Sequence, residues 1–126
     1  MEKQIINTQE APAPIGPYNQ AVKAGNFLFV SGQIALHPET NQLVMQDINA
    51  ETHQVMQNLK HILSAAQMDF SHVVKATIFI TDMNNFSQIN EVYGKYFSGD
   101  FPARETVQVS ALPKGVNVEI SVIAGK

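Results

Sequence analysis

A long segment with helical periodicity lies in the middle of the chain, and a run that favours a strand follows it directly. From about Ile48 to Met68, apolar residues recur at the spacing of one face of an α-helix. These apolar residues are Val55, Met56, Leu59, Ile62, Leu63 and Ala66. The run from Val73 to Thr81 is rich in Val, Ile, Thr and Phe, which fit a pleated surface. This succession predicts helices packed against a sheet.

Shorter β-rich runs before the long helix predict a hairpin. Ala21–Ala24 and Phe27–Ser31 flank a Gly-Asn pair, which is typical of the tight turn between antiparallel strands. A further short strand is predicted at Gln4–Asn7. The Pro- and Gly-rich stretch Ala11–Tyr18 is too apolar for a linker between domains, so we expect an ordered loop laid against the body.

A second helix and two strands are predicted in the last third of the chain. The helix runs from about Asn84 to Phe97, and Asp82 is a suitable N-cap. Strands at Glu105–Ser110 and Asn117–Ala124 follow. We expect an α+β fold, with two helices on one face of a mixed sheet. The other sheet face needs a cover, and a second subunit can supply it, so we expect a homo-oligomer.

Length and composition exclude several classes of protein. The 126 residues suit a single domain spanning 1–126, and the absence of cysteine excludes thiol catalysis and cysteine-bound metal. The formal net charge is −3 and the Lys and Arg residues are scattered, which makes a nucleic-acid partner improbable. No apolar run approaches the roughly 20 residues of a membrane span, and no signal peptide is visible. The expected location is the cytoplasm.

The histidines do not form a metal site in the predicted fold. His53 and His61 are eight residues apart on one helix, which separates them by about 12 Å along its axis. His37 falls in a turn and His72 precedes a strand. We interpret all of them as ordinary surface or helix histidines and expect no metal.

Two charged residues interrupt apolar strands near the end of the chain. Arg104 follows Phe101–Ala103, and Glu119 lies between Val118 and Ile120. A lone charge in such a strand is costly unless it has a partner or a function. Arginine is a natural bidentate clamp for a carboxylate, and a half-buried glutamate is a natural proton carrier. The pair therefore suggests chemistry on a small carboxylate, although each residue alone also fits a solvated surface.

Six short motifs occur in one order along nearly the whole chain. They are Ile15–Tyr18, Ser31–Ile34, Val74–Thr77, Ile89–Tyr93, Pro102–Arg104 and the segment from Leu112-Pro113-Lys114 to Val118–Ile120. Taken singly, Ser31 is a strand-end hydroxyl and Asn90 a surface amide. Together the motifs resemble the Rid family of reactive intermediate deaminases, once called the YjgF family.

The resemblance implies a chorismate-mutase-like α+β fold assembled as a homotrimer, with three clefts between subunits. It implies a hydrolase acting on C=N bonds, a 2-iminobutanoate/2-iminopropanoate deaminase that converts 2-aminoacrylate and related enamines or imines to 2-keto acids and ammonia. No metal or organic cofactor is implied. An imine carbon is already electrophilic, so an anchored carboxylate, a positioned water and one proton carrier suffice.

By position in the motifs, Arg104 is expected to clamp the substrate carboxylate, and Glu119 to orient water and carry a proton. The remaining substrate-binding residues are expected to come from two subunits: Tyr18, Ser31 and Gly32 from one, and Asn90 and the main chain at Thr106 from the other. Many active members carry a small residue and then Cys after the arginine, where this chain has Glu105 and Thr106. Strand alternation predicts that Glu105 points away from Arg104.

Other functions stay open from the sequence. A regulatory module that senses small carboxylates would need Arg104 but not Glu119. A ribonuclease or translation inhibitor is a label long attached to this family, but the acidic charge balance disfavours it. A chaperone-like interaction protein would need an exposed apolar stretch, and none is evident in the sequence.

Overall fold

Six strands form one mixed sheet, and two helices pack on one of its faces in a computed structural model that describes residues 1–126. The elements are β1 Lys3–Ile6, β2 Ala21–Ala24, β3 Phe27–Gln33, α1 Ile48–Ala65, β4 Val73–Ile80, α2 Phe86–Gly94, β5 Ala103–Gln108 and β6 Val118–Gly125. The strand order is β1-β2-β3-β6-β4-β5, and only β4 and β5 run parallel. The predicted α+β architecture, with its mixed sheet and two helices, is confirmed.

The core lies between the sheet and the two helices. Strand β4 contributes Ala76, Ile78 and Ile80 to it, all without exposed surface, because alternate residues of a strand point to the same face. The apolar stripe of α1 covers them with Val55, Met56, Leu59, Ile62 and Leu63. Neither helix is long and apolar enough to cross a bilayer.

The opposite face of the sheet is open in the single chain. Phe27 and Phe29 on β3 each keep 48% of their surface exposed, and Val107 on β5 keeps 43%. Lys75 and Glu105 form an ion pair of 3.3 Å on the same face. The expectation that the chain exposes no apolar stretch was therefore wrong, because the alternation of β3 turns two of its apolar residues, Phe27 and Phe29, towards the open face.

Helix α1 ends three residues earlier than the periodicity predicts. Gln67 adopts a left-handed conformation with φ 60°, and the amide of Met68 donates to the carbonyl of Leu63 at 2.9 Å. The amide of Gln67 donates to the carbonyl of Ser64, which completes a Schellman motif. Glycine usually occupies the left-handed position, so a glutamine there gave no stop signal in the sequence.

Helix α2 is shorter than predicted at both ends. A single 3₁₀ turn at Met83–Asn85 precedes it, and Asp82 caps that turn by accepting from the amide of Asn84 at 2.9 Å. After Gly94 the chain continues to Phe97 in hydrogen bonds between residues three apart, which are those of a 3₁₀ turn. The apolar pattern therefore extends beyond the end of the α-helix.

The last two strands are shifted by one or two residues from their predicted positions. Arg104 lies inside β5 rather than before it, because β5 begins at Ala103. Asn117 lies before β6 rather than inside it, and its side chain and main-chain amide both donate to Glu51.

Strand β3 contains a bulge where it approaches the start of β6. Val30 pairs with Val122, whereas Gln33 pairs with Ile120, so β3 has one residue more than β6 in this interval. Ser31 and Gly32 occupy the bulge. Bulges re-aim side chains and are frequent beside functional sites.

Candidate functional site

Arg104 is held against helix α2 by neutral groups. One guanidinium nitrogen, Nη1, donates to Oδ1 of Asn90 at 2.6 Å. The guanidinium carbon lies 5.2 Å from the centre of the Tyr93 ring and 5.6 Å from that of Phe86, within the range of cation–π attraction. Arg104 is the single arginine of the sequence and forms no ion pair in the chain. Its positive charge is therefore available to a ligand.

A pocket of about 420 Å³ opens beside this guanidinium. Its lining comes from the end of α2 and from the segment that leads into β5: Asn90, Tyr93, Gly94, Phe101, Pro102 and Arg104. Phe101 is 64% exposed. The pocket joins a cation and an amide to an aromatic wall, which suits a small carboxylate with a short apolar part.

Two hydroxyls near the arginine lack hydrogen-bond partners within the chain. The hydroxyls of Tyr93 and Thr106 are both inaccessible to solvent and unpaired. Thr106 pairs with Ile78 across the β4–β5 ladder, so its side chain shares the helix-facing side with Arg104. Strand β5 is the last strand of the sheet, which leaves its outer main-chain edge unpaired there. Burial raises the pKa of Tyr93, which keeps that phenol protonated.

Glu119 lies against the bulge of β3. A Cβ added to Gly32 would stand 2.8 Å from the carboxyl carbon of Glu119, closer than real side chains allow. The φ of Gly32 is not in the left-handed region, so this glycine is required by space and not by backbone conformation. The absence of a side chain at position 32 is what lets the carboxyl pack against the strand.

Burial raises the pKa of Glu119 above its ordinary value of 4.5. Desolvation is the cause, because water is removed from the charged form without a cation taking its place. On the same face of the sheet, Lys75 of β4 and Glu105 of β5 pair with each other. The carboxyl of Glu119 is therefore suited to take up and release a proton nearer to neutrality than an ordinary glutamate.

The predicted loop before β2 lies next to the bulge of β3 and is ordered by buried polar contacts. The Ser31 hydroxyl donates to the carbonyl of Asn19 at 2.6 Å. The Gln20 side chain is 1% exposed; it accepts from the amide of Thr8 and donates to the carbonyls of Ala11 and Pro12. These bonds hold Tyr18 at the mouth of a pocket of about 340 Å³, which Gly32, Ile34 and Lys114 also line.

The site residues fall into two groups on opposite faces of the sheet. Arg104 pairs with Ala76, which points into the helical core, whereas Glu119 pairs with Phe79 on the other face. Two strand spacings, about 10 Å, separate β5 from β6. One chain therefore does not bring Arg104 and Glu119 to the same substrate.

We name the two groups by their charged residues. The arginine half-site consists of Arg104, Asn90, Tyr93, Phe101 and Thr106. The glutamate half-site consists of Glu119, Gly32, Ser31 and Tyr18. This division matches the predicted origin of the lining residues from two subunits, with Tyr18, Ser31 and Gly32 in one set and Asn90 and Thr106 in the other. Substrate contact by each of these residues stays a prediction.

The histidines lie outside both half-sites. His53 is bonded to the Tyr96 hydroxyl at 2.9 Å, and His72 caps the turn that begins at Asp69. No group of three or more His, Cys, Asp or Glu side chains is arranged to hold a metal ion. Glu105 points away from Arg104 and pairs with Lys75, as strand alternation predicts.

Sequence reasoning missed Tyr93 and Glu51. The available signal for Tyr93 was its spacing of three residues from Asn90, which places both on one face of α2. Glu51 is fully buried and accepts from three groups at the start of β6. A glutamate in the first turn of a helix usually lies at the surface, so nothing in the local sequence signalled this contact.

The sequence matches a known family over most of its length. The sequence model described as Endoribonuclease L-PSP matches residues 8–126. A mouse protein named 2-iminobutanoate/2-iminopropanoate deaminase is 48% identical over 122 residues, which is 97% of this chain and 90% of the mouse protein.

Solved structures share the fold. A protein of the Rid family from Yersinia pestis, YyfA, is 51% identical with a TM-score of 0.96, covering 99% of this chain and 100% of that one. The E. coli protein TdcF, solved with bound serine, is 42% identical with a TM-score of 0.94 over 98% of both chains.

Proposed function

The chain belongs to the Rid family, as its motifs predict, and on that basis we propose that it hydrolyses small 2-imino and 2-enamino acids to 2-keto acids and ammonia. The name of the mouse relative supports an imine-deaminating hydrolase. Compounds of the 2-iminobutanoate, 2-iminopropanoate and 2-aminoacrylate type are the proposed substrates.

The unpaired charge of Arg104 carries the proposal. Neutral groups alone hold the guanidinium, and its fork matches the geometry of a carboxylate. The serine bound by TdcF is itself a small amino acid with a carboxylate. In the proposed complex, Arg104 holds the substrate carboxylate and Asn90 fixes the guanidinium.

Glu119 supplies the proton transfer. Water adds to C2 of the protonated imine, the electron pair of the C=N bond moves to nitrogen, and a proton of the water passes to the Glu119 carboxylate. The resulting carbinolamine then breaks its C2–N bond as Glu119 returns the proton to nitrogen. As the carbonyl forms, the hydroxyl proton passes to the departing ammonia, which leaves as ammonium. A carboxyl with a raised pKa suits both steps, because it accepts a proton more readily than an ordinary glutamate and can return it to nitrogen.

The two half-sites meet between chains in this proposal. Arg104 and Glu119 lie on opposite faces of one sheet, so the Arg104 of one subunit serves the Glu119 of another. The open face with Phe27, Phe29 and Val107 is the proposed contact between subunits, and the predicted homotrimer gives three clefts. The trimer and the cytoplasmic location stay predictions.

A coupled assay tests the proposed activity. A dehydratase generates the enamine from serine or threonine, and release of the keto acid is timed with and without this protein. We expect acceleration that depends on Arg104 and Glu119. Equal rates with and without the protein, at concentrations where it is fully assembled, contradict the proposal.

The description Endoribonuclease L-PSP names a second candidate activity. The formal charge of −3 gives little attraction for phosphates, so we expect no RNA cleavage. Cleavage of RNA by the pure protein, lost together with imine hydrolysis in Glu119→Gln, would favour the ribonuclease.

A further inference from the structure

Glu51 ties the first turn of α1 to the first residues of β6. One carboxylate oxygen, Oε2, accepts from the main-chain amides of Asn117 at 2.7 Å and Val118 at 3.3 Å. The other, Oε1, accepts from the Asn117 side-chain amide at 2.8 Å. The three bonds join residues 66 or 67 positions apart in the sequence.

The environment of Glu51 is unusual for a charged residue. Its side chain has no exposed surface, and it forms no ion pair with Lys, Arg or His. A buried carboxylate without a cation is costly unless hydrogen-bond donors surround it. Here the donors come from one short segment of β6, and the N-terminal end of α1 adds its partial positive charge.

The segment that Glu51 holds leads directly into Glu119. Asn117 is fixed on a second side, because its carbonyl accepts from the amide of Thr81 at 3.2 Å. Two residues later, the Glu119 carboxyl packs against Gly32 with no spare room. A small shift or rotation at Asn117 would therefore move the carboxyl away from the bulge.

We propose that Glu51 is a positioning residue, which sets the register and orientation of β6 so that the Glu119 carboxyl stays packed against Gly32. The inference rests on the proposed role of Glu119 in proton transfer. Glu51 itself is a buried residue of the first turn of α1 and acts through the strand rather than on the substrate.

Two substitutions separate geometry from charge. In Glu51→Asp the carboxylate is one methylene shorter and cannot reach all three donors. In Glu51→Gln the amide oxygen can take the place of Oε2, and the amide nitrogen can donate to Asn117 if that side chain flips. We therefore expect Glu51→Asp to lower kcat about 10²-fold, the scale of a misplacement of about 1 Å, and Glu51→Gln to restore most of it.

The pH profile distinguishes a positioning role from a merely structural one. A displaced Glu119 gains water, so the acidic limb of kcat should move to lower pH in Glu51→Asp, towards the ordinary range of a glutamate. KM should change little, because Arg104 is untouched. Glu91→Asp on the exposed side of α2 is the matched control and should change neither quantity.

The possible outcomes distinguish a failure of this inference from a failure of the proposed function. A lower melting temperature in Glu51→Asp, with kcat and the acidic limb of the folded protein unchanged, overturns the inference and leaves the proposed function intact. Equal damage in Glu51→Gln and Glu51→Asp also overturns it. If Glu119→Gln retains both kcat and the acidic limb, the proposed role of Glu119 fails first. Should Glu51→Asp not fold, Asn117→Ala removes one of the three donors and is expected to shift kcat and the limb in the same direction.

Discussion

The two half-sites are built in different ways. In the arginine half-site, the groups that hold the Arg104 guanidinium come from α2, the helix that precedes β5, and they lie near the surface: the side-chain oxygen of Asn90 accepts from Nη1, and the rings of Tyr93 and Phe86 face the charge. Around the glutamate half-site, the supporting contacts are buried, and one set of them joins residues 66 or 67 positions apart. Glu51 reaches Asn117, and Gln20 reaches Thr8 and Pro12.

The difference follows from what each charged residue must do. A guanidinium that binds a carboxylate keeps its charge at any relevant pH, so it must be oriented but need not be shielded from water. A carboxyl whose pKa is raised above that of an ordinary glutamate needs burial, and burial requires a closely fitted backbone around it. Substitutions should therefore be tolerated better around Arg104 than around Glu119.

The largest effect is expected from Glu119→Gln. The amide keeps the shape of the side chain but cannot carry the proton, so kcat should fall about 10²- to 10⁴-fold, the usual contribution of one acid–base group. Affinity for a stable keto acid should change little, because Arg104 still binds the carboxylate. Turnover and calorimetric affinity measured on one preparation check this, with Glu91→Gln on the exposed side of α2 as the control. A sensor without catalysis would show negligible turnover even in the wild type.

Two glycine-to-alanine substitutions, one near each half-site, make the same chemical change in both places and so compare how well each half-site tolerates it. Gly32→Ala should displace the Glu119 carboxyl and lower kcat about 10²-fold, since a Cβ there stands 2.8 Å from the Glu119 carboxyl carbon. Gly94→Ala, at the edge of the arginine half-site, meets nothing within 4 Å and should retain activity. It should also stabilise α2 by about 0.5–1 kcal/mol, as alanine does over glycine in a helix. Equal losses in the two variants would remove the distinction between the half-sites.

Arg104→Lys should have a smaller effect than Glu119→Gln on the chemical step. Lysine keeps the charge but loses the planar fork, so kcat/KM should fall about 10- to 100-fold, the loss of a charged hydrogen bond worth roughly 1.5–3 kcal/mol. The loss should appear mainly in KM. Steady-state kinetics on the folded variant measure it, and wild-type kcat/KM would contradict the clamp.

The smallest effect concerns stability and its dependence on pH. Burial raises the pKa of Glu119 in the folded state, so protonation of this carboxyl stabilises the folded protein. The stabilisation is fully present below the ordinary glutamate pKa of 4.5, and it is lost as the pH rises through the folded-state pKa. The melting temperature of Glu119→Gln should thus exceed that of the wild type at about pH 7, and the gap should shrink towards about pH 4. A difference in melting temperature between the two proteins that grows as the pH is lowered would contradict this prediction.

The sequence predicted the local parts of the molecule well and the long-range parts poorly. The two helices and the sheet follow from apolar periodicity, and the side to which Glu105 points follows from strand alternation. The end of α1 was missed because a glutamine, rather than a glycine, takes the left-handed position at residue 67. The bulge at Ser31–Gly32 was missed because it depends on the register between β3 and β6, which no local pattern encodes.

The same limit applies to the candidate site. Arg104 and Glu119 stand out because each is a charge in an apolar strand, and the resemblance to the Rid family supplied their neighbours. Their separation onto opposite faces of the sheet could not be predicted, because it depends on the pairing of both strands with β4. Glu51 gave no signal, since its partners Asn117 and Val118 lie 66 and 67 positions away in the sequence.

The most direct test of the central claim is complementation between two inactive variants. Arg104→Ala and Glu119→Gln chains are co-expressed and purified as mixed oligomers, and imine hydrolysis is measured. If each cleft takes Arg104 from one chain and Glu119 from another, about a quarter of the clefts in a random mixture of the two chains contain both residues, and activity should return to that order. A mixture of Arg104→Ala with the double variant should stay inactive. No recovery in mixed oligomers that are shown to contain both chains would contradict a site shared between subunits.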